Sequence, residues 1–402
     1  MKRSSHRFHR LRHLAAWALL LLAVGLLVWV NARFAFQNPG GNDFLTRWVG
    51  TRALLFEGLS PYSDEVALRI QTRAYGRPAR ADEDQMRMAY PLYSVLIFAP
   101  FALIPNYPLA RAVWMTTLEV LLVALLVLSL RLVRWKPPAR LLGMLLLFSL
   151  TWYHGVRAVI NGNAVVWVAF FLTAAVWALE TRRDAWAGVL LALATIKPHL
   201  ALLPLLFVWG WSWRQARRQV VAWTVGTVVV LSLAGLLVVP QWLQQNLREV
   251  LAYPGYTPPT TLQAALRGWF SHWGTLLGWA VTLALAGLLV WAWARAWQQA
   301  AFPLWTYALT LVASQWIGIT TDPGNFILLF LPLVWVLARL ARRFGEGAVW
   351  GVLLVLWVGL WWLFVATLGQ YHGQPQQSTV MFLPLPGILL MGLLGLRAQG
   401  EF

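Results

Sequence analysis

The chain contains no cysteine among its 402 residues. That excludes disulfides, thiolate nucleophiles and cysteine-ligated zinc, so any loop outside a membrane must be ordered by packing alone. Charge is scarce as well: Asp, Glu, Lys and Arg make up 11% of the residues against 59% apolar, and the mean hydropathy is +0.62. Fourteen acidic residues cannot form the polar shell that a soluble protein of this length needs. Lysine occurs only at Lys2, Lys136 and Lys197. No His, Asp and Glu grouping has metal-ligand spacing, so neither a metal nor another cofactor is expected. Internal repeats and low-complexity tracts are missing too.

What is present suits lipid. Runs such as "LAAWALLLLAVGLLVWV" (14–30) carry no charge over the length a bilayer demands. The reading is an all-α polytopic membrane protein. A net charge of +18 raises nucleic acid as a partner, but the basic residues cluster between apolar segments: at the N-terminus, at 131–140, at Arg182 and Arg183, at 214–218, at 339–343 and near Arg397. Placing every cluster on the cytoplasmic side satisfies the positive-inside rule and removes nucleic acid as a partner. The basic start "MKRSSHRFHRLRH" precedes a long apolar segment without a convincing cleavage site, which reads as a retained first helix.

That parity argument predicts one transmembrane domain over 1–402, with about 12 transmembrane helices and both termini cytoplasmic, in a plasma membrane. The crossings include 107–130, the pair 141–160 and 163–181, 219–239, 273–294, 302–320, 325–340, 347–368 and 381–396. Two long outer loops are expected, 31–106 and 240–272. Within the first, "YPLYSVLIFAPFALIP" (90–105) reaches only ~22 Å as a helix against a ~30 Å core and is broken by proline, so it reads as a re-entrant half-helix.

The stretch 31–89 holds seven of the chain's 14 acids and eight arginines. Part of it, "FLTRWVGTRALLFEG" (44–58), mixes aromatic and basic residues as an interfacial helix would. Asp43 is placed to N-cap a helix beginning at Phe44, with Arg47 at i+4. Lys197, at the proline-broken "KPH", is the single outward lysine; it either snorkels to the interface or meets an anion. Arg157, His154 and His199 fall on the same side, with the same two readings. Asp322 in "TTDPGN" precedes a proline and a new helix, which favours N-capping. Glu119 is an intramembrane carboxylate with no evident partner.

Taken in order, "NDFLTRWVGTRALLFEGLSPYSDE", "AYPLYSVLIFAPFALIP" and "INGNAVVWVAFFLTAAVWALETRRDAWAGVLLALATIKPHLALLPLLFVW" resemble the polyprenyl-phosphate-mannose-dependent mannosyltransferases of glycosyltransferase family 87, in the GT-C superfamily. The resemblance covers roughly 10–215. It implies a GT-C-like bundle that transfers a sugar, expected to be mannose, from a polyprenyl-phosphate donor to a lipid or glycan acceptor hydroxyl, with inversion, on the extracytoplasmic face. The family's first-loop Asp aligns with Asp43, which implies a general base. A lipid phosphate leaves as an anion and needs cations rather than an acid. Lys197 matches the family's Lys-Pro and is assigned to the donor phosphate, with Arg157 and His199 as helpers.

Tyr62, in the pattern Gly58, Pro61, Tyr62, joins His154, Asn163, Asp322 and Asn325 as candidate sugar contacts. Trp242, Tyr253, Tyr256 and Trp269 of the second outer loop are candidates to lie against an apolar sugar face, or form an aromatic belt. Two departures stand out. Where relatives carry Gly-Gln this chain has "NGN" (161–163), and where relatives often carry Ser-Pro followed by histidines it has "TTDPGNF" (320–326). They keep a catalytically inactive scaffold among the readings. A carrier or flippase for lipid-linked sugars is the other alternative, and would place its polar groups at mid-depth.

Overall fold

The computed structural model describes residues 2–255, 261–317, 322–371 and 374–397. Apart from one short hairpin, Gly369–Tyr371 with Gln374–Gln376, its regular elements are helices. Seven of these are long and apolar enough to cross a membrane: Trp17–Gln37, Tyr107–Leu132, Arg218–Val238, Leu262–Ala296, Pro323–Phe344, Glu346–Ala366 and Thr379–Arg397. Ala139–Thr151 and Tyr153–Asn161 make an eighth if they act as one span bent by 43°. The chain is therefore a multi-pass membrane protein.

The remaining segments of the expected twelve form shorter helices. The stretch 163–181 yields Val165–Glu180 and 302–320 yields Leu304–Ala313; at 1.5 Å per residue these rise about 24 and 15 Å. Both are largely buried among other helices, so much of their apolar surface meets protein instead of lipid. Hydropathy counts apolar residues and cannot tell which of the two covers them. The stretch 90–105 forms Leu92–Ser94 and Val95–Ala102 with Pro100 inside, a piece too short to span.

The start of the first loop is built to tight tolerances. Gly41 caps Asn42–Glu57 in the left-handed region (φ 76°), where side chains other than glycine are strained. Space is lacking too: a methyl there would sit 2.5 Å from Nε of Arg111. Arg111 is itself buried, and donates to the carbonyls of Asn38 at 2.7 Å and Ile160 at 3.0 Å, while Tyr107 Oη donates to Gly40 O at 2.8 Å. One guanidinium thus ties the loop that follows the first helix to the last turn of Tyr153–Asn161. Gly41→Ala is expected to lower stability by about 1–3 kcal/mol, from backbone strain and the displaced arginine, as read by thermal unfolding in detergent.

The helix Asn42–Glu57 turns Phe44 and Trp48 into the protein and leaves Leu55 and Phe56 exposed. Phe44 stacks on Trp114 at 5.2 Å and on Tyr107 at 6.0 Å. Against it lies Gly162 (φ 71°), the C-cap of Tyr153–Asn161, where a methyl would come within 2.5 Å of Phe44 Cβ. Trp114 Nε1 holds the same turn by donating to Gly162 O at 2.9 Å. These contacts pack the first turn of Asn42–Glu57 against the turn at Gly162. Elsewhere, Glu119 has a partner that the sequence did not disclose: Asn31 Nδ2 of the first helix donates to it at 2.8 Å and to Thr116 at 3.0 Å.

Candidate active site

Asp43 does not cap its helix. Gly41 occupies the cap position and Asp43 lies in the first turn, so its carboxylate makes no capping bond. The double glycine starts the helix two residues earlier than the N-cap reading requires. The carboxylate is one-third exposed, and its hydrogen bond comes from Nη1 of Arg47 at a long 3.5 Å. Arg47 makes its shorter bond, 2.9 Å, to the backbone carbonyl of Asp43. The acid is held in place without being consumed.

Lys197 does not snorkel. It is buried, and its Nζ donates to Asn163 Oδ1 at 2.9 Å and to Asn325 Oδ1 at 2.8 Å. Both acceptors are neutral amides that bring no counter-charge, and one of the three N–H bonds of the ammonium is not committed to either amide. Asn163 also accepts from Val165 N at 2.9 Å, starting the helix Val165–Glu180, so one short amide both turns the chain and grips the lysine. The two places where the sequence departs from the resemblance, 161–163 and 320–326, therefore converge on one cation.

Tyr90 lies between two cations, Arg47, which holds Asp43, and Lys197. The Arg47 guanidinium lies 4.0 Å and the Lys197 ammonium 5.6 Å from its ring centroid. Tyr90 O accepts from Tyr62 Oη at 2.6 Å, so the buried Tyr62 serves as a prop for that ring's backbone. Asp43 and Lys197, separated by most of the first half of the chain, thus lie on one side of the bundle. Tyr90 was not singled out in the sequence; its place before Pro91, at the mouth of the half-helix, was the available signal.

Around this pair lie further polar groups. Tyr253 is half exposed, and burial of its phenol, then Asp84 and Asp43, hold it above the usual tyrosine range, so it stays a hydrogen-bond donor. Asp322 caps the turn Pro323–Leu329 by accepting from Gly324 N at 2.5 Å, as its sequence context predicts. Arg157 lies against that turn, its Nε buried without a hydrogen-bond partner. His154 is fully buried, with Nδ1 2.9 Å from Pro323 O, and supports the turn from beneath. His199 is exposed. Trp242 is buried against Tyr93, whereas Trp269 is exposed; Tyr256 lies outside the described residues. A cavity of about 410 Å³ opens on another side of Asn42–Glu57, by Trp48, Arg52 and Arg69, and takes in neither Asp43 nor Lys197.

Asp84 is a second carboxylate at this site. The residue is exposed at the surface, yet desolvation of its carboxyl by the segments packed around it, followed by the charge of Asp43, raises it above the usual range, while Met86 N at 2.8 Å and Arg47 oppose the shift. A raised acid stabilises the fold fully only below its unfolded pKa, and that contribution is lost as pH rises through the folded value. Asp84→Asn keeps the acceptor for Met86 and removes the ionisation. It is expected to raise the thermal midpoint near neutral pH, with the gain vanishing below about pH 4. A melting series against pH checks this.

Among the described residues, no group of three or more His, Asp or Glu is placed to hold a metal ion. The helix Trp242–Ala252 is clasped onto the segment between the first helix and Tyr107–Leu132: Ser60 Oγ donates to Gln245 Oε1 at 2.6 Å, Asn246 to Ala89 O at 3.1 Å, and the buried Glu249 accepts from Arg248 at 2.8 Å and Arg87 at 3.5 Å. The clasp holds Tyr253 over the site. Comparison with known proteins finds that a family model described as Glycosyltransferase family 87 matches residues 89–315. No curated protein and no solved structure matches the chain.

Proposed function

The chain belongs to glycosyltransferase family 87, and from that premise we propose that it transfers a sugar, mannose by the family resemblance, from a polyprenyl-phosphate donor to an acceptor hydroxyl on the extracytoplasmic face. The observation that carries the reading is the buried Lys197 ammonium, caged by two neutral amides and connected through Tyr90 and Arg47 to a carboxylate free of any cap. A buried cation without an acidic partner is costly unless an anion completes the site.

In the proposed reaction the acceptor oxygen attacks the anomeric carbon as Asp43 takes its proton. The bond from that carbon to the phosphate oxygen breaks, its electron pair leaves with the phosphate, and the configuration inverts. Lys197 stabilises the charge that grows on the departing phosphate, with Arg157 as a second cation across the Pro323 turn; no acid is needed. Tyr253 and Trp269 are assigned to the acceptor side, and Asn163 and Asn325 to positioning the ammonium. His154 and Tyr62, being buried, support the site. Its membership of a GT-C architecture belongs to the same proposal.

The test is transfer from a labelled polyprenyl-phosphate sugar by the full chain in proteoliposomes. Transfer that depends on Asp43 and Lys197 but survives Glu119→Gln supports an enzyme. Movement of the labelled lipid between leaflets without transfer supports a carrier, and neither activity supports a scaffold.

A further inference from the structure

At the end of the bundle away from Lys197, four long helices run out around one concavity. Arg134 follows Tyr107–Leu132, Arg295 ends Leu262–Ala296, Arg339 and Arg342 lie in the last turns of Phe330–Phe344, and Arg397 ends Pro384–Arg397. All five line a cavity of about 350 Å³, and no acidic residue does so among the described residues. Pro323–Phe344 measures its separation from the first site. Asn325 near its start bonds Lys197 and Arg339 lines the cavity, so helix at ~1.5 to 2.0 Å per residue sets them roughly 21–28 Å apart.

Orientation in a membrane asks only that basic residues lie in the flanking loops; it does not require them to meet. Five guanidinium groups gathered from four parts of the chain repel one another, and Arg134 pairs with Glu180 at 3.6 Å at the exposed rim. Aromatic faces fix the planes of the others. Arg397 lies 4.0 Å from the ring centroid of Trp305, Arg295 4.5 Å from that of Trp291, and Arg339 5.1 Å from that of Trp335. Arg342 is anchored through Nη2 to Val133 O at 2.9 Å. Guanidinium groups oriented before binding suit the bidentate recognition of phosphate oxygens.

We infer that this cavity binds a phosphate-bearing anion at the membrane face opposite the Lys197 site. The inference is independent of the transfer reaction. Its volume admits a phosphate headgroup and leaves acyl chains in the bilayer, so the phosphate comes either from an anionic lipid or from a soluble phosphate compound.

The test is native mass spectrometry of the full chain after exchange with vesicles of phosphatidylglycerol and phosphatidylcholine, with a parallel arm of phosphatidylcholine alone plus inorganic pyrophosphate. Retention of phosphatidylglycerol that falls at least roughly ten-fold in Arg339→Gln/Arg397→Gln, as expected for a lost charge-assisted hydrogen bond, but not in the exposed Arg140→Gln, supports the lipid source. Pyrophosphate retained with the same dependence supports the soluble source. Should the double variant not purify, Arg295→Gln at the exposed edge carries the test with a smaller, roughly three-fold loss. Equal retention in the cavity variants and Arg140→Gln, or no retention of either anion, overturns the inference.

Discussion

Asp43→Asn is expected to reduce sugar transfer by about 10²–10⁴-fold while leaving the thermal midpoint nearly unchanged. The substitution separates the two roles that Asp43 has in the sequence. Asparagine caps a helix about as well as aspartate, so a capping role would leave both stability and activity intact. A base role is abolished, because an amide does not accept the proton that the acceptor hydroxyl must lose. The geometry favours the second outcome: the cap is Gly41, and the carboxylate's bond to Arg47 is 3.5 Å long. Initial rates with labelled donor, measured beside a melting curve, decide it. Retained transfer removes Asp43 from the chemistry.

Lys197→Gln is expected to lose transfer by about 10²–10³-fold, and to do so without loss of stability. A structural lysine would behave in the opposite way, because breaking a buried ion pair by removing one partner costs about 3–5 kcal/mol. Here the partners are the amide oxygens of Asn163 and Asn325, at 2.9 and 2.8 Å, and they need a donor but not a charge. The glutamine amide supplies N–H groups from a similar reach, and the cost of a buried cation disappears. Lys197→Arg keeps the charge but spreads it over a planar fork that does not match two oxygens converging on one nitrogen, so it is expected to be impaired as well. Transfer and unfolding measured on both variants test this; a collapse in stability with Lys197→Gln would assign the lysine to the fold alone.

The asymmetry between the two predictions has a common source. Asp43 lies where its carboxylate makes one weak contact, and Lys197 where its ammonium makes two strong contacts to neutral groups. Neither is arranged to gain stability from an ion pair. Tyr90 lies against both Arg47 and Lys197, so its ring separates the cation that holds Asp43 from the cation held by the two amides.

Much of this was legible in the chain itself. Scarce acids and uninterrupted apolar runs of bilayer length determined a helical membrane protein, because a charge-free run of that length can satisfy its own backbone hydrogen bonds in lipid as a helix. The order of the first-loop acid, the Tyr-Pro half-helix and the Lys-Pro dipeptide pointed to the family, and Asp322 before Pro323 foretold its cap. Local chemistry is written locally, and those features need only their neighbours. The tertiary structure alone decided what meets across distance. It gave Glu119 its partner Asn31, denied Asp43 the cap by starting the helix at the glycines, and buried Lys197 between two amides 162 residues apart in number, Asn163 and Asn325. It also turned arginines that sequence reads as topology into the walls of one cavity. Hydropathy and motif spacing report on a residue and its near neighbours, whereas a site is made where segments distant in the chain pack against each other, and no local pattern records that packing.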